Sequence, residues 1–266
     1  MAFDFQTIQA VVLDMDGVLW RGSEILPGVT EFFQFVRERG IPYAMATNNS
    51  TKTPEMYVER LNSLGIPIGP DQIITSSVAT GDYMRRTYDP ATTPLFIIGQ
   101  EGIRREMSTL GFREDPDNAS VVIVGLDFDI NYDKLATAAL RINAGATFIG
   151  TNGDLTFPWP QGQVPGNGSF LATLEAATGV SPINIGKPEV AMFEVAVERL
   201  GAQPAHTLMI GDRLETDILG GQRAGLHTAL VLTGITSPQM AREAEIQADV
   251  VFDSLAALHH AWFEEA

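Results

Sequence analysis

Cysteine is absent from the 266 residues, which excludes disulfides, thiolate metal sites and a cysteine nucleophile. Long apolar runs are absent too. None approaches the roughly 20 residues that span a bilayer, and the opening MAFDFQTIQA carries acid where a secretory signal carries base. These absences lead to the expectation of a cytoplasmic protein with no membrane partner. Basic residues are scarce: 17 Lys and Arg stand against 33 Asp and Glu, a net charge of −16. Such a surface repels the nucleic-acid backbone and anionic lipid, so no nucleic-acid polymer is expected as a partner. Low-complexity and repeated tracts are lacking, and 45% hydrophobic with 19% charged residues describes a folded globular chain.

What is present is alternation. Short Val- and Ile-rich runs (AVVLDM, IPYAMATNNS, HTLMIGD, HTALVLTG, DVVFDS) are separated by segments of helical period, the pattern of βα units around a parallel sheet. In PGVTEFFQFVRERG, Val29, Phe32, Phe33 and Val36 recur at i, i+3, i+4 and i+7, with Gly40 as the stop, which predicts an amphipathic helix. LAALHHAWFEEA reads as a closing helix. A second series lies between about 81 and 181: strands at PLFIIG, SVVIVG and ATFIGTN, helices around 101–110 and 132–144, and a polar, proline-bearing return through FPWPQGQVPGNGS. The expected fold class is therefore α/β, a doubly wound, Rossmann-like parallel sheet with a smaller α/β domain inserted. The core is expected from 1–80 plus 182–266 and the insert from 81–181.

Four polar stretches fall at or near predicted strand ends, where open parallel sheets bind ligands: DMDG, TNNS, GKPE and GDRLETD. Taken singly, each has an ordinary reading. DMDG is a turn, and as a calcium loop it fails, because Gly17 is fourth and Ile25 stands where the twelfth-position Glu belongs. TNNST caps a helix, Lys187 is a surface lysine, and GDRLETD places acids at a helix start. Taken together they match one chemistry. A carboxylate attacking phosphorus is an anion approaching an anion, so a hard divalent cation with oxygen ligands is needed. Asp14 and Asp212 can supply those ligands, while Lys187, Thr47 and Asn48 hold phosphoryl oxygens as charge redistributes. Asp16, two residues on and on the same side of an extended chain, can protonate the leaving oxygen.

In this order, and with an insert between the second and third, DMDGVLW, TNNS, GKP and GDRLETD resemble the four motifs of the haloacid dehalogenase superfamily of phosphohydrolases. More narrowly, DGVLWRG, LPGV, TNNST, GLDFDINY and TNGDLTFP resemble the subfamily with a large α/β cap, which includes nitrophenyl, nucleotide, phosphoglycolate and pyridoxal phosphatases. The resemblance implies Asp14 as nucleophile and Asp16 as acid/base. It implies phosphate binding by Thr47 and Lys187 with main-chain amides near Gly17 and Asn48. Mg²⁺ would sit on Asp14, the Asp16 carbonyl and Asp212, with Asp217 as an additional acid. It implies hydrolysis of small phosphomonoesters through an aspartyl-phosphate, and it allows a homodimer through the cap, as relatives often pair that way.

The dehalogenase branch lacks an aspartate at the position of Asp16, so carbon–halogen substrates are disfavoured. A receiver-like phosphoacceptor is the alternative from another class; Asp16 and the insert argue against it, since a signalling module needs neither a leaving-group acid nor a lid. Phosphoryl transfer to an acceptor other than water, as in a mutase, is not separated from hydrolysis by sequence. In the insert, seven basic and twelve acidic residues give a net of −5, no funnel for highly anionic ligands. Its candidate leaving-group contacts are Asp127, Tyr132, Asn152, Asp154 and Trp159. The four histidines, His206, His227, His259 and His260, have no metal-ligand spacing and are assigned no role.

Overall fold

The computed structural model describes residues 3–265, and its contacts divide the chain into two units. The first comprises 1–47, 55–74 and 188–266, and the second 48–54 and 75–187. The division thus falls several residues from the boundaries expected at 80/81 and 181/182. It also gives the second unit the short segment 48–54. The physical reason lies in hydrogen bonds within that unit: the Ser76 and Ser77 hydroxyls donate to the carbonyls of Asn48 and Ser50, and Lys187 N–H donates to the Asn48 side chain.

In the first unit the chain runs through strand β1 (Ala10–Leu13), a small hairpin of β2 (Trp20–Arg21) and β3 (Glu24–Ile25), helix α1 (Val29–Glu38), β4 (Tyr43–Thr47), α2 (Pro54–Ser63) and β5 (Ile73–Thr75). The second unit contains α3 (Ser76–Thr87), β6 (Pro94–Ile98), α4 (Glu101–Thr109), β7 (Arg113–Glu114), β8 (Val121–Val124), α5 (Tyr132–Asn143) and β9 (Thr147–Gly150). It continues with β10 (Thr156–Trp159), β11 (Gly162–Pro165), α6 (Asn167–Thr178) and β12 (Ile183–Asn184). The chain then returns to the first unit with α7 (Ala191–Leu200), β13 (Thr207–Gly211), α8 (Leu219–Arg223), β14 (His227–Val231), α9 (Pro238–Glu243), β15 (Val250–Phe252) and α10 (Leu255–Glu265).

The first unit's sheet has the order β15-β14-β13-β1-β4-β5, and β15 with β14, β14 with β13, β13 with β1 and β1 with β4 all pair in parallel. Successive strands leave β1 in both directions, so β1 and β13 flank the topological switch point where such sheets bind ligands. Register makes the crevice specific. Leu13 pairs with Ile210 on β13 and with Met45 on β4, so the three strands reach their carboxyl ends together. The residues just beyond or at those ends are Asp14, Asp212 and Thr47.

The helices form as their apolar spacing requires. Val29, Phe32, Phe33 and Val36 of α1 are buried, and the helix closes at Gly40 (φ +66°) with Ile41 N–H donating to Val36 O. Leu255, Leu258 and Trp262 of α10 are buried likewise, at i, i+3 and i+7. The Trp262 indole stacks on Phe5 at 5.0 Å and meets Phe35 edge-on at 5.6 Å. The sheet of the second unit, β12-β9-β8-β6-β7, is also parallel, with Val122, Val124, Phe148, Leu171 and Leu174 in its core.

One segment differs from the sequence reading. FPWPQGQVPGNGS is not an irregular return: Thr156–Trp159 and Gly162–Pro165 pair as an antiparallel hairpin, and Asn167 begins α6. Pro158 and Pro165 hid the hairpin, but an isolated two-stranded ribbon leaves half of its amide positions unpaired, and proline is tolerated there.

The aromatic cluster around α10 gives a direct test of the packing. Trp262→Ala is expected to cost the first unit about 3–5 kcal/mol, read from urea unfolding followed by circular dichroism. A loss below about 1 kcal/mol would show that α10 is not part of the cooperative core.

Candidate active site

β1 is buried along its whole length and cannot carry a charge, so the first acids come one residue past its end. Asp14 N–H still bonds Ile210 O at 2.9 Å, which holds the residue in register with β13. The chain then turns. Met15 O accepts the amides of Val18, Leu19 and Trp20, and Gly17 N–H bonds Trp20 O at 2.8 Å. Gly17 needs its φ of +85° for this turn.

Asp14, Asp212 and Asp217 are all buried, and each offers a carboxylate oxygen such that the three atoms lie within 4.8 Å of one another. Local structure explains how the second pair arrives. After β13 the chain takes a π-helical turn, Leu214–Ile218, in which Ile218 N–H reaches back to Arg213 O. Asp217 is carried round by that wide turn, and its Oδ2 accepts the amides of Asp212 and Arg213 at 3.2 and 3.1 Å. Asp212 is fixed from the other side: Oδ2 accepts Ile235 N–H at 2.7 Å, and its carbonyl accepts Thr236 N–H.

Glycines make the room. A Cβ on Gly234 would lie 1.8 Å from Asp212 Oδ2, one on Gly17 2.5 Å from the same oxygen, and one on Gly211 2.2 Å from Asp217 Cβ. The glycines thus let the Asp212 and Asp217 carboxylates lie directly against the main chain, and the cluster presents hard oxygen donors. That donor set suits a small divalent cation such as Mg²⁺, which takes one or two carboxylates and completes its shell with water and phosphate oxygen.

Asp16 is not part of the buried trio. It is exposed, and its Oδ1 accepts the indole N–H of Trp20 at 2.8 Å. Trp20 itself is buried, with the Arg60 guanidinium 3.8 Å above its ring. Tyr57, buried on α2, stands near both acids, and its hydroxyl is hydrogen-bonded to Thr47. Burial, and then the charges of Asp16 and Asp14, push the Tyr57 hydroxyl well above the usual phenol range, against the opposing effects of Thr47 and Arg60. It stays protonated at any working pH.

Asn48 and Lys187 are brought together in the second unit. The Asn48 Oδ1 accepts Lys187 N–H at 2.8 Å, and its Nδ2 donates to Lys187 O at 3.0 Å and to both Asp154 oxygens at 3.2 Å. Asn152 donates to Asn48 O at 2.7 Å, and Asp154 N–H to Asn152 Oδ1. The Asn48 side chain is thus a bracket between two chain segments, and what it can offer an anion is main chain. Lys187 is buried.

The other expected contacts in the second unit separate into two kinds. Asp127 is a buried hub, accepting Lys134 Nζ at 2.7 Å, Gln100 Nε2 at 3.1 Å and Asp129 N–H at 2.9 Å. Those donors make it an organiser of its loop. Tyr132, the first residue of α5, and Trp159, on β10, are exposed; Trp159 lies 5.7 Å from Phe128 and 6.4 Å from Phe157, ring centre to ring centre.

Sequence reasoning overlooked Trp20, Tyr57 and Gly234. Trp20 ends an apolar run and Tyr57 lies in a helical stretch, so neither stood out as polar chemistry. The signal for Trp20 was its spacing, four residues beyond Asp16. Gly234 carried none, because its neighbour Asp212 is distant in sequence.

Comparison with known proteins agrees with this arrangement. The family profile described as haloacid dehalogenase-like hydrolase matches residues 11–113, and a second, HAD-hydrolase-like, matches 184–258. The chain is 40% identical to the 5′-nucleotidase YutF of Bacillus subtilis, over 87% of its length and 90% of that protein's. It is 34% identical to an acid sugar phosphatase of Staphylococcus epidermidis, over 93% and 95%. The crystal structure of a 4-nitrophenylphosphatase from Thermotoga maritima superposes with a TM-score of 0.92 at 32% identity, over 97% of this chain and 98% of that one. The chain belongs to the haloacid dehalogenase-like hydrolases and is a phosphatase of that family.

Proposed function

We propose that the chain hydrolyses small phosphomonoesters with Mg²⁺ through an aspartyl-phosphate on Asp14. The observation that carries this reading is the buried trio of carboxylates at the strand ends, beside a second, exposed acid two residues from the first. Asp14 attacks phosphorus, forming an acyl phosphate as the ester P–O bond breaks and its electron pair leaves with the oxygen. Asp16 gives that oxygen its proton. A water then attacks the acyl phosphate, Asp16 takes the water's proton, and Asp14 is freed with release of phosphate.

Asp14, Asp212 and the Asp16 carbonyl would hold Mg²⁺, with Asp217 bracing them through the amides it binds. The cation, when bound, offsets the repulsion between carboxylate and phosphate. Thr47, Lys187 and the amides near Gly17 and Asn48 hold phosphoryl oxygens. The Tyr57 hydroxyl, protonated and bonded to Thr47, fixes how Thr47 presents its own.

Substrate class follows from what the inserted unit offers. It is net acidic and displays an exposed aromatic patch of Trp159 and Phe128, with Tyr132 exposed at the start of α5. This favours a leaving group that carries no further phosphate and has a face to pack on a ring, in keeping with relatives named for action on nucleotides, sugars and nitrophenyl esters.

Three outcomes test the reading. Asp14→Asn is expected to lower phosphate release from nitrophenyl phosphate by about 10³-fold or more while vanadate still binds, and chelation of Mg²⁺ to abolish release by the unaltered protein. Near-normal turnover in that variant would remove Asp14 from the nucleophile role. Gly234→Ala, whose Cβ would collide with Asp212, is expected to weaken Mg²⁺ by roughly 10–100-fold in calorimetry with circular dichroism unchanged. Unaltered affinity would place the cation away from Asp212. Trp159→Ala is expected to change the ranking of esters by kcat/KM and not the requirement for Mg²⁺, and an unchanged ranking would separate the aromatic patch from recognition.

A further inference from the structure

Trp20 is placed oddly for a core residue. Its ring is 1% exposed, yet its one polar atom is aimed outward at the exposed carboxylate of Asp16. The turn that brings the two together is closed by the three amides on Met15 O, and it sets Asp16 and Trp20 side by side as a bridge pair. Over the ring the Arg60 guanidinium lies 3.8 Å from the centroid, held by its own bond to Gly22 O at 2.7 Å. A cation over an indole draws electron density from the ring and makes its N–H a better donor.

We propose that Trp20 is a positioning residue for Asp16: its N–H claims Oδ1, so that the proton passed to the leaving oxygen is carried on Oδ2. The inference rests on the acid/base reading of Asp16 given above and adds which oxygen works and what holds it. The reason is the inventory of a carboxylic acid. Its carbonyl oxygen is the better acceptor, so a fixed N–H on Oδ1 leaves the hydroxyl to Oδ2. As the P–O bond breaks, the Oδ2 proton moves to the departing oxygen. The resulting carboxylate keeps the N–H bond, now charge-assisted, until Oδ2 takes a proton from the attacking water. Without the indole N–H the carboxyl rotates, and either oxygen can face the ester with the wrong one protonated. Arg60 supports the arrangement without touching the acid.

The test uses two replacements at one position, because Trp20 is buried and a smaller ring leaves a gap. One is Trp20→Phe. The other is benzothienylalanine at position 20, which keeps the bicyclic shape and puts sulfur in place of the N–H. Both are assayed with Mg²⁺ on an alkyl monophosphate, whose leaving oxygen needs a proton, and on nitrophenyl phosphate, whose leaving group departs as an anion. Asp16→Asn is run beside them. With enzyme in excess, so that only the first, ester-cleaving step is read, loss of the N–H is expected to slow alcohol release from the alkyl ester by about tenfold or more, part of the 10²–10⁴ that a placed acid supplies, and nitrophenol release by less than about threefold, with vanadate inhibition unchanged.

Equal losses on both esters in the benzothienyl variant, or none, would overturn the positioning role if Asp16→Asn does discriminate between them. If Asp16→Asn also lowers both equally, the acid reading falls and the role of Trp20 falls with it.

Discussion

Three carboxylates buried within 4.8 Å of one another are the constraint around which the first unit is built. At that separation each charged pair repels by roughly 3.5 kcal/mol, taking an effective dielectric of about 20. The surrounding structure answers in two ways. Main-chain amides of Asp212, Arg213 and Ile235 point at carboxylate oxygens, and the π-helical turn after β13 exists in the form that lets Asp217 reach two of them. Glycines at 17, 211 and 234 let the Asp212 and Asp217 side chains lie directly against the main chain. A cluster of hard oxygen donors is what a small divalent cation needs, so the arrangement that is costly without a cation would become stabilising with one.

Asp16 obeys a different rule. It is exposed and singly anchored, while Asp14, two residues away, is buried among other acids. Two carboxylates of identical chemistry are thus given different surroundings, the condition under which one can act as nucleophile and the other as proton carrier. The same short turn produces both. Leaving the strand at Asp14 buries one acid, and turning back through Gly17 exposes the other and lays an indole against it.

The second unit contributes polar crosslinks more than charge. Asn48 ties the segment after β4 to the segment before α7 through Lys187 and Asp154, and Asp127 gathers Gln100, Lys134 and its own loop. Asn152, Asp154 and Asp127, expected from sequence as contacts for a leaving group, make hydrogen bonds within these loops. Trp159 and Tyr132 present exposed rings.

Much of the fold and of the site is legible in the chain's local pattern. The hydrophobic period of 3.6 in α1 and α10 and the short Val/Ile runs of β1, β13 and β14 follow from burying one helix face and both faces of a parallel sheet, and these are local properties of the chain. The polar stretches after those runs could be assigned to strand ends for the same reason, and with them Asp14, Asp16, Thr47 and Asp212. The hairpin Thr156–Pro165 escaped, because its prolines speak against a strand while its pairing partner lies across a turn. The glycine clearance around Asp212 and the Tyr57–Thr47 bond escaped as well. The sequence by itself determined which residue types stand at the ends of which strands, since periodicity is written within a few residues. Only the tertiary structure decided which of those acids are buried together, since that depends on sheet order and register between segments some 200 residues apart.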